Sequence, residues 1–417
     1  MTNFTSNTYT LKREILNFSH KISHNLTKPE RKFTADMTYG MLAANSCLLT
    51  DVADQLHEDS KKINIVDRLS RHLRQGIPTP ALHSYLSLIH KWVPSQPVVL
   101  LDESDIVKPK GYQFESLCIV RDGSESTKTK NVCKKGYHVT EATVLTKSNH
   151  PVSIFSKIHS SEEKDFTSIN DITFLAMERA VKMFGKATFV MDRGYDDNKM
   201  FLKLNQMEQD YVIRLTKKRK LLLHNQWVKA TQLCHRRKGK IKTSFFYKGK
   251  DHDAYLSHVK VQVTASRKNV NLVLVYGITE SPMMLLTNKE IKSKEDVISV
   301  PRHYFSRWKI EEYFRAKKQL FQFENFRVRS LRAINALNFY ITLCMGFLAQ
   351  TVTKSETNAL KAAIIQAADP VKEKVYFYYY RIAKGIFNIL SYAKEGIRYW
   401  FRTKRPAYRQ LRLQLII

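Results

Sequence analysis

The amino-acid sequence predicts an α/β fold: a mixed sheet flanked by helices, interrupted by a β-rich insertion and bounded by helical regions at both ends. Three observations predict it. Short apolar runs rich in Val and Leu recur between residues 98 and 191. A segment of helical periodicity separates the last two of them, as an α/β sheet requires. A period of two then takes over between residues 217 and 282 before the apolar runs resume.

Residues 1–94 show helical periodicity. Leu49, Val52, Ala53 and Leu56 make one apolar stripe, and Ile65, Leu69 and Leu73 make another, with Arg68, Arg71 and Arg74 beside it. A DNA-contacting helix-turn-helix variant and a scaffolding bundle both fit that pattern. From Gln96 the reading is strands at 98–101, 116–120 and 137–145. A helix after Asp165 follows, with Ile169, Ile172, Leu175, Ala176 and Ala180 on its apolar side, and then strands at 187–191 and 210–215.

Within 217–282, Val259, Val261 and Val263 and then Val270, Leu272 and Leu274 alternate with polar residues, which predicts a separate antiparallel β-unit. Residues 217–220 and 236–242 make it basic. Residues 283–286 return the chain to the main sheet, and Ser299 and Pro301 open a helix. Residues 331–417 read as helical and aromatic, with Tyr376, Tyr378, Tyr379 and Tyr380 ahead of Arg398, Arg402, Lys404 and Arg405. That tyrosine cluster is core or a dimer or DNA contact. The divisions are therefore 1–94, 95–216, 217–282, 283–330 and 331–417.

A chain of 417 residues with formal net charge +31 and 43% hydrophobic content can bury a core of two or three domains. Its natural partner is a polyanion, nucleic acid first and an anionic membrane surface second. The longest apolar stretch, 336–352, is interrupted by Asn338, Thr342 and Gln350 and reads as a buried helix, not a bilayer span. The first twenty residues alternate polar and apolar, unlike a secretory signal. Cys47, Cys118, Cys133, Cys234 and Cys344 lack zinc-site spacing and suit a reducing cytoplasm.

Chemistry is expected where apolar strands end in acids. Asp102 follows the run ending at Leu101, with Asp105 as its rival, and Asp192 follows the run ending at Met191, with Asp196 or Asp197 available to cap the next helix. Tyr304, Arg307, Glu311 and Lys318 lie at offsets that put them within an arc of about 60° on a single helix, along about 21 Å of its length. Glu312 is turned about 100° from Glu311. Ile310, Phe314 and Phe321 form an apolar stripe alongside. The plain alternative is a solvated, charged helix.

Three carboxylates gathered from two strand ends and one helix would repel one another unless cations sat among them. Such an oxygen-rich set suits two divalent ions, which can activate an attacking oxygen and stabilise the leaving one.

The spacing Tyr304, Arg307, Glu311, Lys318 resembles the Y-R-E-K signature of insertion-sequence transposases of family four, within the DDE transposase superfamily. Asp102 and Asp192, the latter in the context Asp192-Arg193-Gly194-Tyr195, resemble the family's first two catalytic acids. The resemblance runs from about residue 95 to 330. It implies an RNase H-like catalytic core in which Asp102, Asp192 and Glu311 hold two Mg²⁺ or Mn²⁺ ions. It implies DNA contacts from Tyr304, Arg307, Lys318 and Arg193, and a tryptophan of the β-insertion stacked on a flipped base. Trp227 is the only tryptophan there, and a core role is its alternative. The resemblance further implies cut-and-paste transposition through a hairpin, a synaptic homodimer, no membrane association, and a cytoplasmic, nucleoid-associated location. An RNase H-like endonuclease and a domesticated, transposase-derived DNA-binding protein are the other readings.

Overall fold

The computed structural model describes residues 2–123, 125–127, 129–247, 249–264, 268–355, 357–371 and 375–398. Arg402, Lys404 and Arg405 lie outside them. Five helices come first: α1 (Thr2–Ser23), α2 (Lys28–Ala44), α3 (Leu49–Leu56), α4 (Lys62–Arg74) and α5 (Thr79–His90). Strands β1 (Val98–Val107), β2 (Cys118–Arg121), β3 (Cys133–Leu145) and β4 (Pro151–His159) follow, then α6 (Ile169–Phe184), β5 (Thr188–Met191), α7 (Asn198–Gln206) and β6 (Asp210–Arg214). The next stretch holds β7 (Lys220–Leu223), β8 (Gln226–Lys229), α8 (Ala230–Arg236), β9 (Ile241–Tyr247), β10 (Lys250–Gln262) and β11 (Asn269–Tyr276). After β12 (Met283–Thr287) come α9 (Lys294–Phe305), α10 (Trp308–Leu320), α11 (Leu331–Thr353), α12 (Ala359–Ala367) and α13 (Tyr379–Leu390).

These elements form two compact units, one of residues 88–111 and 116–315 and the other of residues 1–87, 112–115 and 316–417. The first is a mixed α/β unit, as the sequence predicts. Its sheet has twelve strands among the described residues, in the order β2-β3-β1-β5-β6-β12-β11-β10-β7-β8, with β4 on β3 and β9 on β10. β1, β5 and β6 are parallel, and β1 and β3 are antiparallel. Helix α6 shows why these residues form a helix. The Ser168 hydroxyl accepts from the Asp171 N–H at 3.2 Å, Asp171 adds an acid to the first turn, and Gly185 at φ +70° ends it. Its buried stripe is Ile172, Ala176, Met177 and Ala180. Leu175, expected on that stripe, is half-exposed, because the helix turns it away.

One apolar core joins Leu100, Val190, Val212, Leu285 and Val273 of the sheet to Val297, Val300, Phe305 and Ile310 of α9 and α10. Val99 and Leu101 alternate to the other face of β1 and are also fully buried, so the sheet is covered on both sides.

Four expectations change on contact with the structure. First, β10 and β11 have the predicted period of two, but they do not stand apart: β11 pairs with β12, and β12 with β6, in one sheet. Both their faces are largely apolar, and pairing satisfies backbone groups that an isolated unit would expose. Second, β1 continues through Asp102 to Val107, because β3 pairs with it along that whole length.

Third, the key helix opens at Lys294, not at Ser299 or Pro301. A capping box between Ser293 and Asp296 starts it, and Pro301 lies inside α9. Fourth, the Y-R-E-K stretch is two helices. Arg307 N–H bonds Tyr304 carbonyl at 3.0 Å and Ile310 N–H bonds Arg307 carbonyl at 3.0 Å, so three-residue bonds tighten the chain between α9 and α10.

The second unit is helical. Its long helix α11 buries 89% of an eighteen-residue apolar window, as the interrupted apolar stretch predicts. Gly346 of α11 has no room for a side chain: an added Cβ would meet the Tyr85 ring at 2.8 Å. Val52, Ala53, Leu56, Ile65, Leu69 and Leu73 are buried as the stripes of α3 and α4 require, and Leu49 is half-buried. Arg68 is held inside the unit by Asp36 at 2.7 Å and Glu58 at 2.9 Å. In the tyrosine cluster, Tyr379 is fully buried while Tyr376 is 45% exposed, and Arg398 pairs with Asp59.

Candidate active site

Strand register alone brings two acids to one level of the sheet. Val98 lies opposite Thr188 and Leu100 opposite Val190, so two further steps set Asp102 beside Asp192. Met191 lies opposite Ile213, so one further step sets Asp192 beside Arg214. Neighbouring strands are about 4.8 Å apart. Leu100, Val190 and Val212 all face the core under α9. Alternation therefore turns Asp102, Asp192 and Arg214, each two residues on, toward that same side. Asp105 falls on the opposite face of β1, across from His138.

Asp192 follows the last residue of β5. Its Oδ1 accepts from the Gly194 N–H at 2.8 Å, which starts a single 3₁₀ turn over Arg193–Tyr195 and leaves Arg193 exposed. Asp196 next binds Arg219 at 2.7 Å and accepts from the Thr216 N–H at 2.7 Å and hydroxyl at 2.8 Å, fixing the loop. Asp197 caps α7 by accepting from the Lys199 N–H at 3.1 Å.

Glu311 arrives in the first turn of α10. Arg307, in the tightened turn before it, joins the acids: one guanidinium nitrogen donates to Asp102 Oδ2 at 2.8 Å, and another makes a close contact with Glu311 Oε1. Burial pushes the Asp102 carboxyl up to about 6. Arg307 and the Glu103 N–H, which donates to Asp102 Oδ1 at 3.0 Å, pull the other way, while Asp192 and Glu311 add to the rise. Burial works against the Arg307 charge, but Asp102 and Glu311 outweigh it and hold the guanidinium protonated.

The expectation of a ready three-carboxylate cage needs correcting. Asp102, Asp192 and Glu311 are electrostatic neighbours, yet among the described residues no set of three His, Cys, Asp or Glu side chains is disposed to hold a metal ion. The physical reason is the Arg307 fork, which stands between two of the acids and supplies the positive charge their proximity demands. The donor chemistry itself, carboxylate oxygens from three elements, fits hard divalent cations.

The remaining sequence-predicted residues divide. Tyr304 is only 3% exposed and belongs to the apolar core, with its hydroxyl hydrogen-bonded to Arg214 and its ionisation pushed up by burial. A direct surface contact is thus replaced by a buried one, since the core side of α9 includes position 304. Lys318 lies two turns beyond Glu311 on α10, in the part of that helix that belongs to the helical unit, and pairs with Glu324 at 3.0 Å. Trp227 sits on the β7–β8 hairpin opposite Leu222 and is 50% exposed, which overturns its core reading.

Two side chains at the site escaped the sequence reading. Arg214 ends β6, and the same strand-end rule that selects Asp192 selects it. Glu141 lies opposite Asp102 on β3, fully buried, with Oε2 accepting from Ser156 Oγ at 2.7 Å and Oε1 from Ser153 Oγ. Its signal was an acid inside the apolar run 139–145.

A mixed sheet whose adjacent parallel strands end in acids, met by a third acid from a helix packed on the same face, is the arrangement of a nucleic-acid-cutting core of the RNase H-like kind. The transposase DDE domain model matches residues 94–347, more than half of the chain, and the chain belongs to that family. No curated protein matches the sequence. It is a DDE transposase, a DNA-binding enzyme of transposition, in a family that generally uses divalent metal ions.

Proposed function

We propose that the protein is a cut-and-paste transposase of the Y-R-E-K insertion-sequence group, in which Asp102, Asp192 and Glu311 form the catalytic set for two Mg²⁺ or Mn²⁺ ions. The observation that carries this reading is the register that levels Asp102 with Asp192, together with the Arg307 fork that ties Asp102 to Glu311. When bound, the ions would supply Lewis-acid charge and lower the pKa of water. Water adds its oxygen to the phosphorus at a transposon end, the P–O3′ bond breaks, and the 3′ oxygen leaves with a proton. That 3′ hydroxyl then attacks the opposite strand, giving a hairpin, and after opening attacks target DNA.

Each protein group has a task in that scheme. Arg307 exchanges its carboxylates for a DNA phosphate, so the charge that quiets the free site positions the substrate in the loaded one. Tyr304 acts from the core by orienting Arg214 beside Asp192. Arg193 and Lys318 bind phosphates, and Trp227, half-exposed at a hairpin, stacks on an extrahelical base. Residues 1–94 contribute DNA contacts, 95–216 and 283–330 the catalytic core, 217–282 the hairpin-bearing insertion, and 331–417 dimer or DNA contacts. A homodimer joins two ends, and the protein works in the cytoplasm on the nucleoid.

Glu311→Gln tests this. It is expected to keep duplex binding and to lose Mg²⁺-dependent cleavage of end-containing DNA by about a thousandfold or more, the scale of several kcal/mol of transition-state charge stabilisation. Cleavage at the parent rate would overturn the assignment. Cleavage without any joining of the freed 3′ end to target DNA would favour the simple endonuclease instead.

A further inference from the structure

The helical unit contains a pocket of about 520 Å³ between α3, α4 and the chain leading into α11. That is within the range of about 300 to 1,000 Å³ usual for ligand sites. Leu48, Val66, Val328 and Leu337 give it an apolar floor, and Arg74, Arg327 and Arg329 stand around it. All three arginines are exposed, and none enters a side-chain hydrogen bond or ion pair among the described residues. Most other arginines mentioned so far are spent on acids: Arg68 on Asp36 and Glu58, Arg219 on Asp196, Arg307 on Asp102 and Glu311.

Three unspent guanidinium groups around one cavity repel one another, and Asp67 is the one carboxylate in the lining. An arrangement of that kind is favourable once an anion enters, and the planar fork of Arg matches a phosphate with two parallel bonds. The α11 terminus is not what recommends the pocket, because its Leu331 N–H is already taken by Glu115 at 2.7 Å. The cations are. An apolar floor beneath them suits the sugar and base edge that accompany each backbone phosphate, and does not suit a bare inorganic ion.

We propose that this pocket is a second DNA site, which grips one backbone phosphate with its adjoining nucleoside, separate from the carboxylates of the α/β unit. The inference rests on DNA being the substrate. It assigns a role to Arg327 and Arg329, which the catalytic scheme leaves unused, and it selects Arg74 from the three α4 arginines while Arg68 serves the fold.

The test uses the full chain and fluorescence anisotropy with a labelled duplex across a salt series. Replacing Arg74, Arg327 and Arg329 by Ala together is expected to weaken binding tenfold or more at low salt. The slope of log Kd against log salt should fall by about 2 to 3, at about 0.9 per phosphate contact. The corresponding Lys triple variant should recover most of that slope, and Lys164→Ala with Lys182→Ala, exposed cations of the other unit, should change it less. Parent-like slope in the Ala variant, or an equal loss in the control pair, overturns the proposal, as does loss of polyglutamate binding with DNA binding intact. If the parent fails to cleave DNA while the slope still falls, the catalytic reading fails and this site stands.

Discussion

Two regions of this protein hold their arginines in opposite states. At the rim of the sheet, Arg307 is 13% exposed and committed to Asp102 and Glu311. Around the helical pocket, Arg74, Arg327 and Arg329 are exposed and meet no acid of the protein. A formal charge of +31 is therefore not one uniform field available to DNA. Where carboxylates must sit close together, arginine serves as their internal counter-ion. Where it meets no acid, it is available to an anion from outside.

The largest effect expected within this comparison concerns a structural pair. Asp196 is fully buried against Arg219, so Asp196→Ala leaves a guanidinium without its partner and should cost about 3 kcal/mol. Urea denaturation followed by circular dichroism measures this. A midpoint equal to that of the parent would mean that such pairs at the rim are incidental, and the contrast with the pocket would lose its meaning.

A smaller effect sharpens the contrast. Arg307→Gln removes the counter-ion between Asp102 and Glu311, so DNA-free protein should bind Mn²⁺ about tenfold more tightly, a gain of about 1.4 kcal/mol, while its affinity for duplex falls. Electron paramagnetic resonance of free Mn²⁺ reads the first change without any turnover. Unchanged or weaker Mn²⁺ binding would show that Arg307 assembles the carboxylates and does not compete for them.

The smallest effect is one of slope. Burial pushes Glu103 up to about 7, with Asp102 adding to the rise and His138 opposing it. Because the folded state holds this proton more firmly than the unfolded chain, the contribution is fully present below about 4.5 and is lost as pH rises through about 7. Glu103→Gln keeps the shape without the charge. Its melting temperature should decline less than that of the parent between pH 5 and 8, and parallel declines would assign the burial cost elsewhere.

Much of the architecture was legible in local pattern. Strands β5 and β6, helix α6 and the buried α11 follow from apolar runs, a serine cap and a long apolar stretch, because period and capping are properties of neighbouring residues. The acids Asp102 and Asp192 were legible as the ends of apolar runs, even though β1 turns out to continue past Asp102.

What the sequence by itself determined is the repertoire: a basic chain, an α/β core, three acids in order, and an arginine four residues before the last of them. Only the tertiary structure decided how these are used. It broke the Y-R-E-K stretch into α9 and α10, turned Tyr304 into the core, set Glu141 against Asp102, drew β10 and β11 into the main sheet, and brought Arg74 to Arg327 across some 250 residues of chain. The reason is that periodicity fixes which residues share a face, while the partner of that face, and so the charge each side chain meets, is set by long-range packing.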